Sequence, residues 1–216
     1  TTLVDNDVNI MALGEYWSIG RSVEDLLFVK VGTGIGSGLI LGGHLHRGAR
    51  GAAGDIGHIQ AGATDVVCRC GNSGCLEASA GGGALANQLA AMGYDTANSR
   101  DVVDLVETGN ADAVRLLREA GRLIGEALSS VVNLLNPELV VIGGDLAHPG
   151  QTLVAAVREV VYTRSLPLST TDLRIQESPL GDRAGVIGAA ALVLDHVLHP
   201  EAVDASISKQ MDTVSA

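Results

Sequence analysis

Gly54-Asp55-Ile56-Gly57-His58, followed by Cys68-Arg69-Cys70-Gly71-Asn72-Ser73-Gly74-Cys75-Leu76-Glu77, are the stretches on which the reading of this 216-residue chain turns. All three cysteines fall within eight positions, and His58 stands ten positions before the first of them. Three thiolates and one imidazole make a closed tetrahedral shell for zinc, and the glycines at 71 and 74 let a short loop turn back so that the sulfurs converge. Disulfides would leave one cysteine over, and Cys68 and Cys70 are too close in sequence to pair easily. With every position filled by protein, no place stays open for water. The metal is therefore expected to hold structure, fixing the loop 58–75 and the helix that starts after Cys75. The plainer alternative is three unpaired thiols in a cytoplasmic protein.

Outward from this cluster, the chain alternates strand and helix signals. Asp25 to Val31 and Ser37 to Leu41 read as two strands of a hairpin around a glycine-dense turn, and His44 to Ile59 as short strand-like pieces broken by glycines. The turn from Gly32 to Gly38 lacks the lysine of a phosphate-binding P-loop and the spacing of a dinucleotide fold. Taken alone, it is a tight hairpin needing positive backbone angles. A long helix is predicted from Asn110, a plausible N-cap, to Pro137, with Val114, Leu117, Gly121, Ile124, Leu128, Val131 and Leu135 on one stripe. A buried strand over Leu139 to Ile142 ends in Gly143-Gly144. A helix near Gln151 to Tyr162, a strand at Leu173 to Ile175 and a small-residue helix from Arg183 to Leu198 follow. The alternation implies an α/β protein.

Composition narrows the function. The 14 basic residues against 25 acidic ones give a formal charge of -11, so binding of a phosphate backbone by this chain is electrostatically opposed. Aromatic residues make up only 2%, too few for a surface on which bases stack. The apolar run from Ala184 to Leu194 is well short of a membrane span. The opening Thr1-Thr2-Leu3-Val4-Asp5 has neither a methionine nor the basic and apolar regions of a secretion signal, as expected of a portion of a longer cytoplasmic chain.

The Gly54-to-His58 and Cys68-to-Glu77 strings resemble the signature of the ROK family of repressors, open reading frames and sugar kinases. Asn6-Asp7 opening a helix, Gly32-Thr33-Gly34-Ile35-Gly36-Ser37-Gly38 at the hairpin and Val141-Ile142-Gly143-Gly144 join the resemblance, which covers the chain up to His199. It implies the two-lobed, actin-like ATPase (ribonuclease H-like) fold. Residues 1–199 are then the second, sugar-binding lobe with an inserted zinc loop, and 200–216 a loosely held polar tail. The first lobe should carry the phosphate loop, and in repressors a winged helix-turn-helix precedes it. Neither is in this sequence, so the chain alone should phosphorylate nothing and any DNA contact should be made elsewhere.

A sugar is a ring of hydroxyls, so its pocket needs carboxylates, amides and imidazoles converging from different segments. The resemblance assigns hydroxyl contacts to Asn6, Asp7, Asp55, His58 and Glu77, with His58 giving one ring nitrogen to zinc and the other to the sugar, and His58, Cys68, Cys70 and Cys75 as metal ligands. Asp7 matches the general base of the kinases. Read alone, Asn6 or Asp7 caps a helix, and Glu77 is a solvated first-turn carboxylate. Gly32, Thr33, Gly34, Gly36, Gly143 and Gly144 match loops that hold nucleotide in kinases. The expected function is a sugar-sensing effector domain of a repressor, with a homodimer as the expected assembly. The alternative is a sugar kinase using ATP and Mg2+. Asp55 in place of the family's glutamate, and Gly143-Gly144-Asp145 in place of a triple glycine, favour the repressor, whereas the retained Asp7 favours the kinase. The last helix should leave Val186, Leu192 and Val193 partly uncovered, which favours self-association.

Overall fold

The computed structural model describes residues 2–61, 65–204 and 208. Five strands form one mixed sheet: β1 (Leu26–Val31), β2 (Ile35–Leu41), β3 (His44–His46), β4 (Leu139–Gly143) and β5 (Arg174–Glu177), in the order β3-β2-β1-β4-β5. β1 pairs antiparallel with β2, as the hairpin reading expects, and parallel with β4, which is parallel to β5. Between His44 and Ile59 only β3 is a strand. The remainder is turns and a 3-10 turn at Ile56–His58, because positive backbone angles at Gly48, Gly51 and Gly54 break extended pairing.

Side-chain alternation along β1 builds two cores. Leu27, Val29 and Val31 face a large aliphatic cluster, whereas Leu26 and Phe28 face a smaller one. The large cluster is covered by α2 (Leu76–Ala80), α3 (Gly82–Ala91), α4 (Ser99–Glu107), α5 (Ala111–Leu135) and α6 (Thr152–Arg164). Asn110 caps α5 by accepting from the N–H groups of Asp112 and Ala113, and Asn136 ends it in the left-handed region just before Pro137. Of the expected stripe, Leu117, Gly121, Ile124 and Leu128 are buried, but Val114, Val131 and Leu135 are only half-buried. Ala113, Leu116, Ala120 and Val132 are buried instead, because α5 packs against α6 as well as beneath the sheet and so needs a wider apolar face.

On the other face lies α1 (Asp7–Ser18), with Ala12 and Tyr16 in the smaller core. The glycines between 32 and 38 all have negative φ, so they do not serve the positive angles expected of a tight hairpin. Gly38 gives close approach instead: a Cβ there would stand 2.5 Å from the Val8 carbonyl oxygen and 2.7 Å from Ala12 Cβ. The last long helix, α8 (Ala184–Val197), lies on α1 through Ala184, Gly188 and Ala191. A side chain at Gly188 would overlap the Ile10 carbonyl, and one at Gly14 would overlap that of Ala184. Val186 and Val193 on α8 are exposed and Leu192 is half-buried. Of the tail, 200–204 and 208 are helical, and its other positions lie outside the described residues. No helix among the described residues is long and apolar enough to cross a membrane.

Candidate functional site

The C-terminal ends of β1 and β4, the N-terminus of α1 and the segment 51–58 enclose an open cavity of about 700 Å³. Asn6, Asp7, Asp55, His58 and Glu77 all line it, together with Gly32, Thr33, Gly34, Gly36 and Gly144. Gly143 does not. It sits in the sheet opposite Lys30, where a Cβ would stand 3.0 Å from the Phe28 ring.

The cysteine cluster borders this cavity through His58. Gly71 and Gly74 have positive φ, and the Cys68 N–H donates to the Asn72 carbonyl, so residues 67–73 form a tight knuckle. A bridge between Gln60 and Cys75 then brings the segment carrying His58 beside the last cysteine. One ligand atom from each of His58, Cys68, Cys70 and Cys75 lies within 4.8 Å of all the others. His58 Nδ1 is 3.6 Å from Cys68 Sγ, and the Cys70 and Cys75 sulfurs are also 3.6 Å apart. Edges of that length fit a tetrahedron with metal–sulfur bonds of about 2.3 Å. Burial, and then the two neighbouring sulfurs, push the Cys75 thiol up to about 12, while the Asn72 N–H draws Cys70 below the usual thiol range. A cation is what allows three such sulfurs to ionise together. The donor set therefore fits a metal ion.

His58 turns its other nitrogen to the cavity, with Nε2 3.9 Å from Asp55 Oδ1. Asn6 caps α1, accepting from the Val8 N–H at 3.3 Å while also lining the cavity, so capping and exposure to a ligand coincide. Glu77 is not the solvated carboxylate that its place in the first turn of α2 suggests. Its side chain is 12% exposed, it accepts from the Ile35 N–H at 3.0 Å, and it pairs with Arg69 Nε at 2.9 Å.

Several participants were not expected. Lys30 Nζ lies 2.7 Å from Asp7 Oδ2, and the Val8 N–H donates to Asp7 Oδ1 at 2.8 Å. Burial works to raise the Asp7 carboxyl, but the hydrogen bond and charge of Lys30, with backbone N–H groups, outweigh it and hold the group below its ordinary range. The one available signal was a lysine inside the apolar run Leu26-Leu27-Phe28-Val29-Lys30-Val31, since a charge there needs a partner. Asp5, outside the cavity lining, is a second unexpected feature: its side chain, 6% exposed, accepts from Asn9 at 2.8 Å and from Arg47 Nε at 2.7 Å. This pair ties the base of the glycine-rich loop 48–54 to the start of α1. At the far end, Asp145 accepts from the Ser99 hydroxyl at 2.7 Å, and both Asp145 and Asp182 line the cavity.

Comparison with known proteins bears on this arrangement. The sequence pattern of the ROK family matches residues 1–196. The xylose repressor of Caldicellulosiruptor bescii is 33% identical over 90% of this chain and 52% of its own length. Among solved structures, a ROK family transcriptional regulator homologous to the Escherichia coli MLC protein superimposes with a TM-score of 0.79 at 30% identity, covering 88% of this chain and 50% of that one. A ROK family glucokinase from Streptomyces griseus, in complex with glucose and AMPPNP, gives a TM-score of 0.75 at 31% identity, covering 88% and 67%. The chain spans about half the length of the curated repressors it matches.

Proposed function

Since this chain belongs to the ROK family and shares the fold of its actin-like regulators and kinases, we propose that it is the sugar-sensing lobe of a transcriptional repressor. In this reading, residues 1–199 form the effector-binding lobe and 200–216 a tail. Asn6, Asp7, Asp55, His58 and Glu77 receive the sugar hydroxyls. Zinc is the metal we assign to His58, Cys68, Cys70 and Cys75, a soft donor set suited to it. Bound there, it neutralises the thiolates and pins the imidazole, so that Nε2 stays aimed at the cavity.

The observation that carries the choice of repressor over kinase is the Lys30–Asp7 ion pair. A general base has to take a proton from the sugar hydroxyl, and a carboxylate already held by an ammonium group and a backbone N–H is a weaker base. The same pair does not prevent Asp7 from accepting a hydrogen bond, which is all that sensing requires. The kinase alternative draws on the likeness to the glucokinase and on the position of Asp7 at the cavity wall. For control of DNA binding, the sugar has to bind one arrangement of the parent protein more tightly than another, because equal affinity shifts nothing. DNA contact belongs to another part of the parent, given the charge of -11 here. Self-association is proposed through α8, whose Val186, Val193 and Val197 are exposed, with the exposed Leu198 just after it.

The test is calorimetric titration of the intact protein with neutral hexoses, pentoses and amino sugars, followed by an assay for phosphate transfer from MgATP. Saturable binding of a sugar without turnover is the expected outcome. Sugar-dependent ATP consumption that disappears in Asp7→Asn would assign the protein to the kinases instead.

A further inference from the structure

The glycine-turn end of the cavity matches the place where the resemblance puts nucleotide phosphates, yet its chemistry runs against an anion. Five carboxylate residues, Asp7, Asp55, Glu77, Asp145 and Asp182, line the cavity, against two cations. Both cations are already engaged, Lys30 by Asp7 and Arg69 by Glu77. Three of the backbone donors that could offset this are engaged as well. The Gly82 and Gly83 N–H groups, at the start of α3, donate to the carbonyls of Gly32 and Thr33 at 2.7 and 3.0 Å, and the Gly32 N–H donates within the turn to Gly34. The N-terminus of α3 therefore offers these groups to the turn and not to a phosphate.

Asp145 stands at this end by construction. β4 runs beside β1 with Gly143 opposite Lys30, and Gly144, at φ +89°, lies so near β1 that a Cβ would stand 2.6 Å from the Val31 carbonyl oxygen. The next residue is thus delivered beside the glycine turn. Its carboxylate is anchored by the hydroxyl of Ser99, a buried residue whose Cβ lies 2.6 Å from where a Cβ on Gly82 would sit. The carboxylate is thereby held in the cavity wall at the end that carries the glycine turn.

We infer that Asp145 keeps phosphate groups out of this cavity, so that its ligand is an uncharged sugar and neither a nucleotide nor a sugar phosphate. The inference rests on the sugar-sensing reading only for the word sugar. An anion brought near a fixed carboxylate is repelled strongly enough to lose about tenfold or more in affinity.

The experiment titrates the protein with Mg-AMPPNP, with glucose 6-phosphate and with the neutral sugar panel, in the wild type, Asp145→Asn and Asp145→Gly. Asparagine keeps an acceptor for Ser99, and glycine removes the side chain altogether. Bound metal and circular dichroism check that each variant is folded. The wild type is expected to ignore both phosphate-bearing probes at millimolar concentration. At least one variant should gain about tenfold or more for one of them, with neutral-sugar affinity changed by no more than about twofold. Which probe responds separates nucleotide from sugar phosphate. Binding of either probe by the wild type, or no gain in both variants, overturns the inference. A gain for phosphate with no sugar bound by any form would sink the sugar-sensing reading and leave the role of Asp145 standing. Sugar binding without a phosphate gain would do the reverse.

Discussion

The cavity is supported from two sides by unlike means. On one side a knuckle of three cysteines and His58 is local in sequence, half open to solvent at Cys70, and short of regular backbone pairing. On the other, α1 is pressed between the sheet and α8 through contacts that only glycine permits, at Gly14, Gly38 and Gly188, between segments far apart in the chain. On the proposed reading the first support depends on an ion that can leave, whereas the second is built from backbone packing that cannot be withdrawn without unfolding. A site built in this way has one conditional wall and one permanent wall.

The largest effect should come from attacking the conditional wall. Chelation, or Cys75→Ser, forfeits metal-binding free energy on the order of 10 kcal/mol that the loop otherwise draws on. Sugar binding should fall below detection while the circular-dichroism signal of α5 and the sheet is largely retained. Metal release followed with a chromogenic chelator, alongside calorimetry, checks this; undiminished sugar binding in metal-free protein would erase the distinction between the walls.

Attacking the permanent wall should have the opposite character. Gly188→Ala forces a methyl into the Ile10 carbonyl and should cost about 3 kcal/mol in urea unfolding, with metal content unchanged. A loss of metal in step with stability would mean that the two walls are one cooperative unit.

A smaller effect sharpens the comparison through pH. Glu15 on α1 is 1% exposed; its Oε1 accepts from the Ser178 hydroxyl, and its Oε2 has no hydrogen-bond partner among the described residues. Burial raises its carboxyl, and the bonds from Ser178 and Leu180 only partly offset that. A folded-state value above the unfolded one means that its contribution is full at acid pH and is lost as pH rises through the raised value. Glu15→Gln should therefore leave stability near pH 4 unchanged and raise it at pH 7 to 8 by about 1 kcal/mol, or about 3 °C in Tm. Thermal melts across pH 4 to 8 read this directly, and a variant that loses stability at pH 8 would show that the charged form is the one the fold uses.

What could be read from the sequence follows the same division. The convergence of His58 with the three cysteines was legible because its chemistry is local: four donors in 18 positions, with glycines at the bends. The hairpin, the long helix and the strand after it were legible because period and caps are local too. The pairing of Lys30 with Asp7 leaves no trace in the sequence, since it requires knowing that α1 covers the face of β1 shared with Leu26 and Phe28. The glycines from 32 to 38 read as a turn, but at Gly36 and Gly38 the need is set by a helix crossing at Val8 and Ala12, which is invisible from the residues of the turn. Asp5 and Arg47, 42 positions apart, leave no mark of their pairing in either segment.

The 12 residues of α1 make a rod about 18 Å long. It carries Asn6 and Asp7 at one tip and, further along, the glycine at 14 that seats α8 without slack. Helices resist compression along their axis, so a nudge at the tip cannot be absorbed on the way. With Asn6 and Asp7 holding the sugar as proposed, it arrives at α8 as a displacement, and one lever serves both the ligand and the helix packed on α1.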